Sequence, residues 1–245
     1  MPFSRRFHNR TYQIGHGNST YIGGKMCYFP SVDKLVADCV QVVKTAVFEV
    51  AQNTGKEGLP VFLFGQSFGG AVSTRTAIEN ADLFAGLILT SPMIGVPLNC
   101  LLKCLSPVAG CASCCCPFFP IADAVHPSQM SSDPAEQKAY ADDPKVWHDK
   151  IRGRVANECK QSMLLIQAHA VDIGMPVVCV LGDGDQVVEI AAAQRLIEGP
   201  AGGSCTVSSE DKTFKLFEGL WHTLFHEPRR QEIIDYVSGW INARV

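Results

Sequence analysis

From Ser31 onward the apolar residues Val32, Leu35, Val36, Cys39, Val40, Val43, Val47 and Val50 recur at spacings of three and four. That period predicts an amphipathic helix, with Ser31 as its N-cap and Gly55 and Gly58 beyond its end. The next apolar stretch has no such period. Leu59-Pro-Val-Phe-Leu-Phe64 is short and wholly apolar, as a strand covered on both faces would be. Ala85-Gly-Leu-Ile-Leu-Thr90 and Pro176-Val-Val-Cys-Val-Leu181 repeat the pattern, and Thr213-Phe-Lys-Leu-Phe217 is a fourth, more amphipathic run. Helical segments are predicted between and after them, at about 67–80, 187–198 and 227–243. Strand alternating with helix makes this an α/β chain, with a mostly parallel sheet and helices on both faces.

One stretch breaks the rhythm. Residues 92–173 begin with a proline-punctuated segment whose only charge, as far as Ile121, is Lys103. They continue from Asp123 to Asp172 in a polar, helical style. We read them as a cap or lid inserted between two core strands, so that 1–91 and 174–245 are the two parts of one core. Residues 1–30 are turn-rich, with Gly15, Gly17, Gly23 and Gly24 close together.

Composition narrows the function classes. The chain has 245 residues, 47% of them hydrophobic and 18% charged, with a formal net charge of −3. This is a globular composition, too apolar for a disordered chain. It has no basic excess to neutralise phosphates, so nucleic acid is not an expected partner. No apolar run reaches the roughly 18 residues of a spanning helix. The charged start Met1–Arg10 is followed by no apolar stretch, so it does not read as a secretory signal. The 11 cysteines then read as thiols in a reducing compartment, and the cytoplasm is the expected location.

The chemistry starts at Gly65-Gln66-Ser67-Phe68-Gly69-Gly70, which directly follows the Val61–Phe64 strand and opens a helix of small residues, Ala71–Ala77. A serine on a sharp strand-to-helix turn exposes its hydroxyl above the sheet, and flanking glycines leave room for chain segments passing in contact. The helix dipole and the Phe68 backbone amide can stabilise negative charge on a substrate oxygen. A serine nucleophile needs a base, and the base needs an orienting carboxylate. Strand 176–181 runs into Gly182-Asp-Gly-Asp185, and strand 213–217 into Glu218-Gly-Leu-Trp-His222. Both lie at carboxyl ends of parallel strands, where open α/β sheets place their sites. Asp185 competes with Asp183 and could serve only as a helix cap. His222 competes with His226, which stands before Glu227-Pro228 and reads as a solvated first-turn residue of the last helix.

At these residues the chain resembles the monoacylglycerol lipase-like group of α/β-hydrolases. The resemblance is carried by Gly15-His-Gly-Asn-Ser19, Tyr28–Val36, Gly58–Ala71, Ser91-Pro-Met93, Gly182-Asp-Gly-Asp185 and Phe217-Glu-Gly-Leu-Trp-His222. It implies a serine esterase with Ser67 as nucleophile, His222 as general base, Asp185 as its partner, and no metal or cofactor. It also implies a cap that shapes an acyl-chain tunnel and rests on a lipid surface, making the protein peripherally membrane-associated. The expected substrates are lipid esters, monoacylglycerols or lysophospholipids, cleaved through an acyl-enzyme. The family places Gly-His-Gly-x-Ser after its fourth strand, so the first three strands and the His-Gly oxyanion loop have no counterpart here. His16-Gly17 lacks the preceding buried strand such a loop needs. The expectation is therefore an amino-terminally truncated hydrolase whose nucleophile strand has a bare edge. Two alternatives follow: an impaired or dead hydrolase acting as a lipid-binding scaffold, and a broader carboxylesterase or thioesterase.

Cys100, Cys104, Cys111, Cys114, Cys115 and Cys116 crowd the cap. Three readings fit: small hydrophobes in an apolar lid, S-acylation near a membrane, or a zinc site with poorly fitting spacing.

Overall fold

The computed structural model describes residues 13–97, 109–199 and 206–245. The first helix, α1 (Val32–Thr54), begins where its cap predicts, with the Ser31 hydroxyl accepting from the Lys34 amide, and ends on Gly55 in the left-handed conformation at φ 65°. Strand β1 (Phe62–Gln66) and helix α2 (Phe68–Glu79) follow, then β2 (Gly86–Thr90). The inserted region contains α3 (Ala109–Cys115), β3 (Pro120–Ala122), α4 (Pro134–Asp142), β4 (Ile151–Arg152) and α5 (Gly153–Ala168). The chain closes with β5 (Val177–Gly182), α6 (Ile190–Glu198), β6 (Lys212–Phe217) and α7 (Arg230–Asn242).

The described core strands form one parallel sheet in the order β1-β2-β5-β6. Side chains alternate across it, as the two-residue repeat of a strand requires. Leu63, Leu87, Leu89, Val177, Cys179 and Leu181 pack on one face with α2, α6 and the end of α5. Ile88, Val178, Val180 and Phe217 pack on the other with Ile233, Val237 and Trp240 of α7. Together these match the α/β-hydrolase layering expected of the sequence.

Several boundaries and faces differ from the sequence pattern. The Leu59–Phe64 run was expected to be covered on both faces, yet the strand spans Phe62–Gln66 and leaves Leu59 36% and Phe64 45% exposed. Among the described residues, α7 and the short turn before it cover the second face. Trp240 of α7 reaches Phe62, with ring centroids 6.0 Å apart, while the Phe64 ring meets that of Phe225 at 5.7 Å. β1 also lies at one edge of the described sheet, with β2 alone beside it. The apolar stripe of α1 is buried only at Val32, Leu35 and Val36, and Val47 and Phe48 face outward. The last helix starts at Arg230, three residues after the predicted start; Glu227 is buried, and His226 belongs to a one-turn 3-10 helix before it.

The inserted residues do not sit apart from the core. Val155 of α5 packs with Tyr28, Phe29, Val36 and Val72, and Ile166, Ala170 and Ile173 join the main cluster. β3 and β4 form a small antiparallel pair that ties α3 to the start of α5. Beside it Phe118 and Phe119 are exposed, at 48% and 65%. Cys114, Cys115 and Cys116 are also exposed rather than packed into the cap, whereas Cys100 and Cys104 lie outside the described residues. No helix among the described residues is long and apolar enough to cross a membrane.

Candidate active site

Ser67 sits between β1 and α2 at φ 52°, ψ −122°, a conformation that costs a non-glycine residue of order 1–3 kcal/mol. The surrounding backbone holds it there. Its amide donates to the Thr90 carbonyl at 3.1 Å, and its carbonyl accepts from Gly70 and Met93, each at 2.9 Å. Glycine is required at two neighbouring positions. A Cβ on Gly65 would lie 2.5 Å from the Gly69 carbonyl oxygen and 2.6 Å from Ser73 Oγ, and one on Gly70 would lie 2.7 Å from the Pro92 Cβ. Gly69 differs from the flanking-glycine expectation, since a Cβ there meets nothing within 4 Å. The close approach on the helix side belongs to Gly70.

The other two candidates converge on Ser67. His222 is 1% exposed; its Nε2 lies 2.9 Å from Ser67 Oγ and its Nδ1 2.8 Å from Asp185 Oδ2. The tautomer that satisfies both contacts carries its proton on Nδ1, donates to Asp185, and accepts from the serine hydroxyl. Asp185 Oδ1 accepts from the Val187 and Val188 amides at 2.8 and 3.1 Å. One oxygen thus fixes the turn before α6 while the other holds the imidazole; Asp185 is not the cap of that helix, which begins at Ile190 with Glu189 at its N-cap. Burial works to raise the pKa of Asp185. The hydrogen bond and charge of His222, together with the two amides, outweigh it and hold the carboxyl below its ordinary value.

Asp183 is exposed and does a different job. Its Oδ1 accepts from the Gly219 amide at 2.7 Å, pinning the turn after β6 to the turn after β5. The two glycines around it make that contact possible: a Cβ on Gly182 would sit 2.1 Å from the Leu220 oxygen, and one on Gly184 2.8 Å from Trp221 Cδ1. His226 points elsewhere, with Nδ1 2.8 Å from Glu136 Oε2 on the surface. His16 is not part of the serine–histidine–aspartate set. Its ring stacks near Phe29 and Phe68, with centroids 6.3 and 6.2 Å away, and residues 13–30 contain no strand. The Phe68 amide opens α2, where helix geometry provides no intrahelical acceptor for it.

Sequence reasoning missed Glu227. It is fully buried and accepts from the Trp221 amide at 3.1 Å, next to His222, and from Ser132 of the cap. The sequence signal available was a charged residue five positions after His222, where a solvent-facing helix start was expected.

A serine held beside a buried imidazole that a carboxylate orients can deliver an alkoxide to a carbonyl carbon without a metal. The family model described as Hydrolase_4, "Serine aminopeptidase, S33", matches residues 11–229. The chain is 27% identical over 229 residues to the monoacylglycerol lipase of Mycolicibacterium smegmatis, covering 93% of this chain and 75% of that protein. Among solved structures it is similar to the Paleococcus ferrophilus monoacylglycerol lipase, with a TM-score of 0.77, 25% identity, and 94% and 81% of the two chains covered. It also shares the fold of a soluble variant of the Saccharomyces cerevisiae monoglyceride lipase, with a TM-score of 0.79 at 19% identity over 96% and 76% of the chains.

Proposed function

The chain belongs to the Hydrolase_4 family (serine aminopeptidase, S33), and on that footing we propose that it cleaves carboxylic esters of lipids, monoacylglycerols above all, with Ser67, His222 and Asp185 as its triad. The observation that carries this reading is the unbroken hydrogen-bonded line from Ser67 Oγ through His222 to Asp185, at 2.9 and 2.8 Å. The monoacylglycerol lipases it resembles support the substrate class.

The chemistry follows from the positions. Ser67 Oγ attacks the ester carbonyl carbon while His222 Nε2 takes the hydroxyl proton. Asp185 stabilises the imidazolium without accepting that proton. The carbonyl oxygen becomes an oxyanion, and the Phe68 N–H at the start of α2 is the donor that faces it. Collapse breaks the ester bond, and His222 returns its proton to the glycerol oxygen. Water then enters, gives a proton to His222 and attacks the acyl-Ser67 carbonyl; the bond from Ser67 Oγ to the acyl carbon breaks, His222 returns the proton to Oγ, and the fatty acid leaves. The chain needs no cofactor for either half.

The test is turnover by the full chain. We expect release of glycerol and fatty acid from a monoacylglycerol presented in mixed micelles, and covalent labelling by a serine-reactive fluorophosphonate. Labelling without turnover of any ester would leave a scaffold that retains a reactive serine. Turnover of short soluble esters alone would move the assignment to a general carboxylesterase.

The cap is proposed to rest on the lipid surface that holds the substrate. Phe118 and Phe119 stand exposed, with Lys25 Nζ 4.6 Å from the Phe118 ring centroid and the Arg152 guanidinium 4.4 Å from that of Trp147. Rings and cations on one face suit the water–lipid boundary. Replacing both Phe118 and Phe119 by Ser should weaken partitioning to phosphatidylcholine vesicles by about tenfold per ring, the effect of losing ~1.4 kcal/mol of burial each. Turnover of a short soluble ester should stay near wild type. Vesicle sedimentation at two salt concentrations checks both the loss and its weak salt dependence.

A further inference from the structure

We propose that Glu227 is a positioning residue, holding the loop that carries His222 against the cap segment Met130–Ser132; the proposal rests on the triad reading above. Glu227 has no solvent exposure. Three donors converge on its carboxyl group: the Trp221 amide at 3.1 Å, the Ser132 amide at 2.9 Å, and the Ser132 hydroxyl. Trp221 immediately precedes His222. On the other side of the histidine, the Thr223 amide donates to the Met130 carbonyl at 2.7 Å, and the Thr223 hydroxyl donates to the same oxygen. The Ser131 hydroxyl donates to the His226 carbonyl at 2.9 Å. Gln137 of α4 closes the far side of the clamp by donating to the Ser131 carbonyl at 2.8 Å.

The backbone on both sides of His222 is therefore tied to one cap segment, and the Glu227 side chain bonds both the residue before His222 and that segment. Asp185 fixes the imidazole ring through Nδ1, but it cannot fix where the Cα of His222 lies. That height above Ser67 depends on the loop, and a misplacement of ~1 Å at a reacting group can cost about 10²-fold in rate. A carboxyl group buried where an apolar side chain would pack at lower desolvation cost is a poor choice for stability alone. Its three convergent donors specify one loop position instead. The consequence is that Met130–Ser132 acts as a fixed root of the cap rather than a part that swings.

The experiment uses the full chain and a short soluble ester, which makes little use of the cap. Glu227→Ala should lower kcat by about 10- to 100-fold with KM changed less than about threefold, and slow fluorophosphonate labelling in proportion. Glu227→Gln retains an oxygen for the two amides and should recover most of the loss. Ser132→Ala should lower kcat in the same direction, and the double variant should be no slower than Glu227→Ala, since the two residues share one interaction. Should Glu227→Ala fail to fold, as judged by circular dichroism, Ser132→Ala decides alone through its kcat. Wild-type kcat in a folded Glu227→Ala or Ser132→Ala variant overturns the proposal, as does a KM effect without a kcat effect. These outcomes are separate from failure of the triad itself, which a Ser67→Ala variant retaining full activity would reveal.

Discussion

Ser67→Ala is expected to eliminate fluorophosphonate labelling and to lower ester turnover by about 10⁵- to 10⁶-fold, leaving only what binding and the Phe68 amide supply. The expectation comes from the line of contacts ending on this hydroxyl, with His222 Nε2 at 2.9 Å. The substitution should leave the fold intact, because the contact of Ser67 Oγ is with the His222 ring and the backbone bonds to Thr90, Gly70 and Met93 remain. Alanine keeps the positive φ of 52° and so keeps the strain. Ser67→Gly removes both nucleophile and strain. Relief of about 1–3 kcal/mol outweighs the roughly 0.5–1 kcal/mol that glycine costs through chain entropy. Ser67→Gly should therefore melt above Ser67→Ala while being equally inactive. Turnover within about 100-fold of wild type in both variants would remove Ser67 from the mechanism. Equal melting temperatures would show that the elbow is less strained than its dihedral angles imply.

The elbow was legible in the sequence because it is local: strand, glycine, serine and helix lie within a dozen residues, and their order alone fixes the turn. The same holds for α1, whose Ser31 cap and Gly55 terminus are one-residue signals. What each element meets in space was less legible. Leu59–Phe64 reads as doubly covered because all six residues are apolar, yet exposure at Phe64 depends on how far Trp240 and Phe225 reach from the other end of the chain. Gly69 and Gly70 are indistinguishable as letters. Only the path of Pro92 across the elbow assigns the close approach to Gly70. Glu227 was unreadable for the same reason, since its cap partner Ser132 lies 95 residues away. A charge after a turn is solvated unless something folds over it. Asp185 shows the limit from the other direction: helix-capping and imidazole-orienting readings compete on paper, yet Glu189 takes the N-cap position and the second Asp185 oxygen fixes the turn that leads to it.

That division between the two oxygens sets the second large effect. Asp185→Asn should lower kcat by about 10⁴-fold, whereas Asp183→Asn should change it by less than about twofold. In the wild type, Oδ1 accepts from Val187 and Val188 and Oδ2 accepts from His222 Nδ1. Asparagine has one oxygen, and two backbone amides claim it. Its NH₂ group must then face His222, where it donates to Nδ1 and forces the ring proton onto Nε2. A protonated Nε2 cannot accept from Ser67, so the site keeps its shape and loses its base. Asp183 carries no such conflict, because it is exposed and its side chain's bond to the Gly219 amide needs only the oxygen asparagine retains. Stability gives an independent check with a fixed sign. The Asp185 pKa is lowered in the folded protein, so the stability it adds is complete above its unfolded value of about 3.9 and is lost as pH falls through the lower folded value. Wild type should therefore lose more stability than Asp185→Asn between neutral pH and the acid side of that window, as read from urea midpoints at a series of pH values. Greater loss of kcat in Asp183→Asn than in Asp185→Asn would reassign the acid. Parallel pH–stability curves for wild type and Asp185→Asn would mean that this carboxylate is not held ionised by its partners.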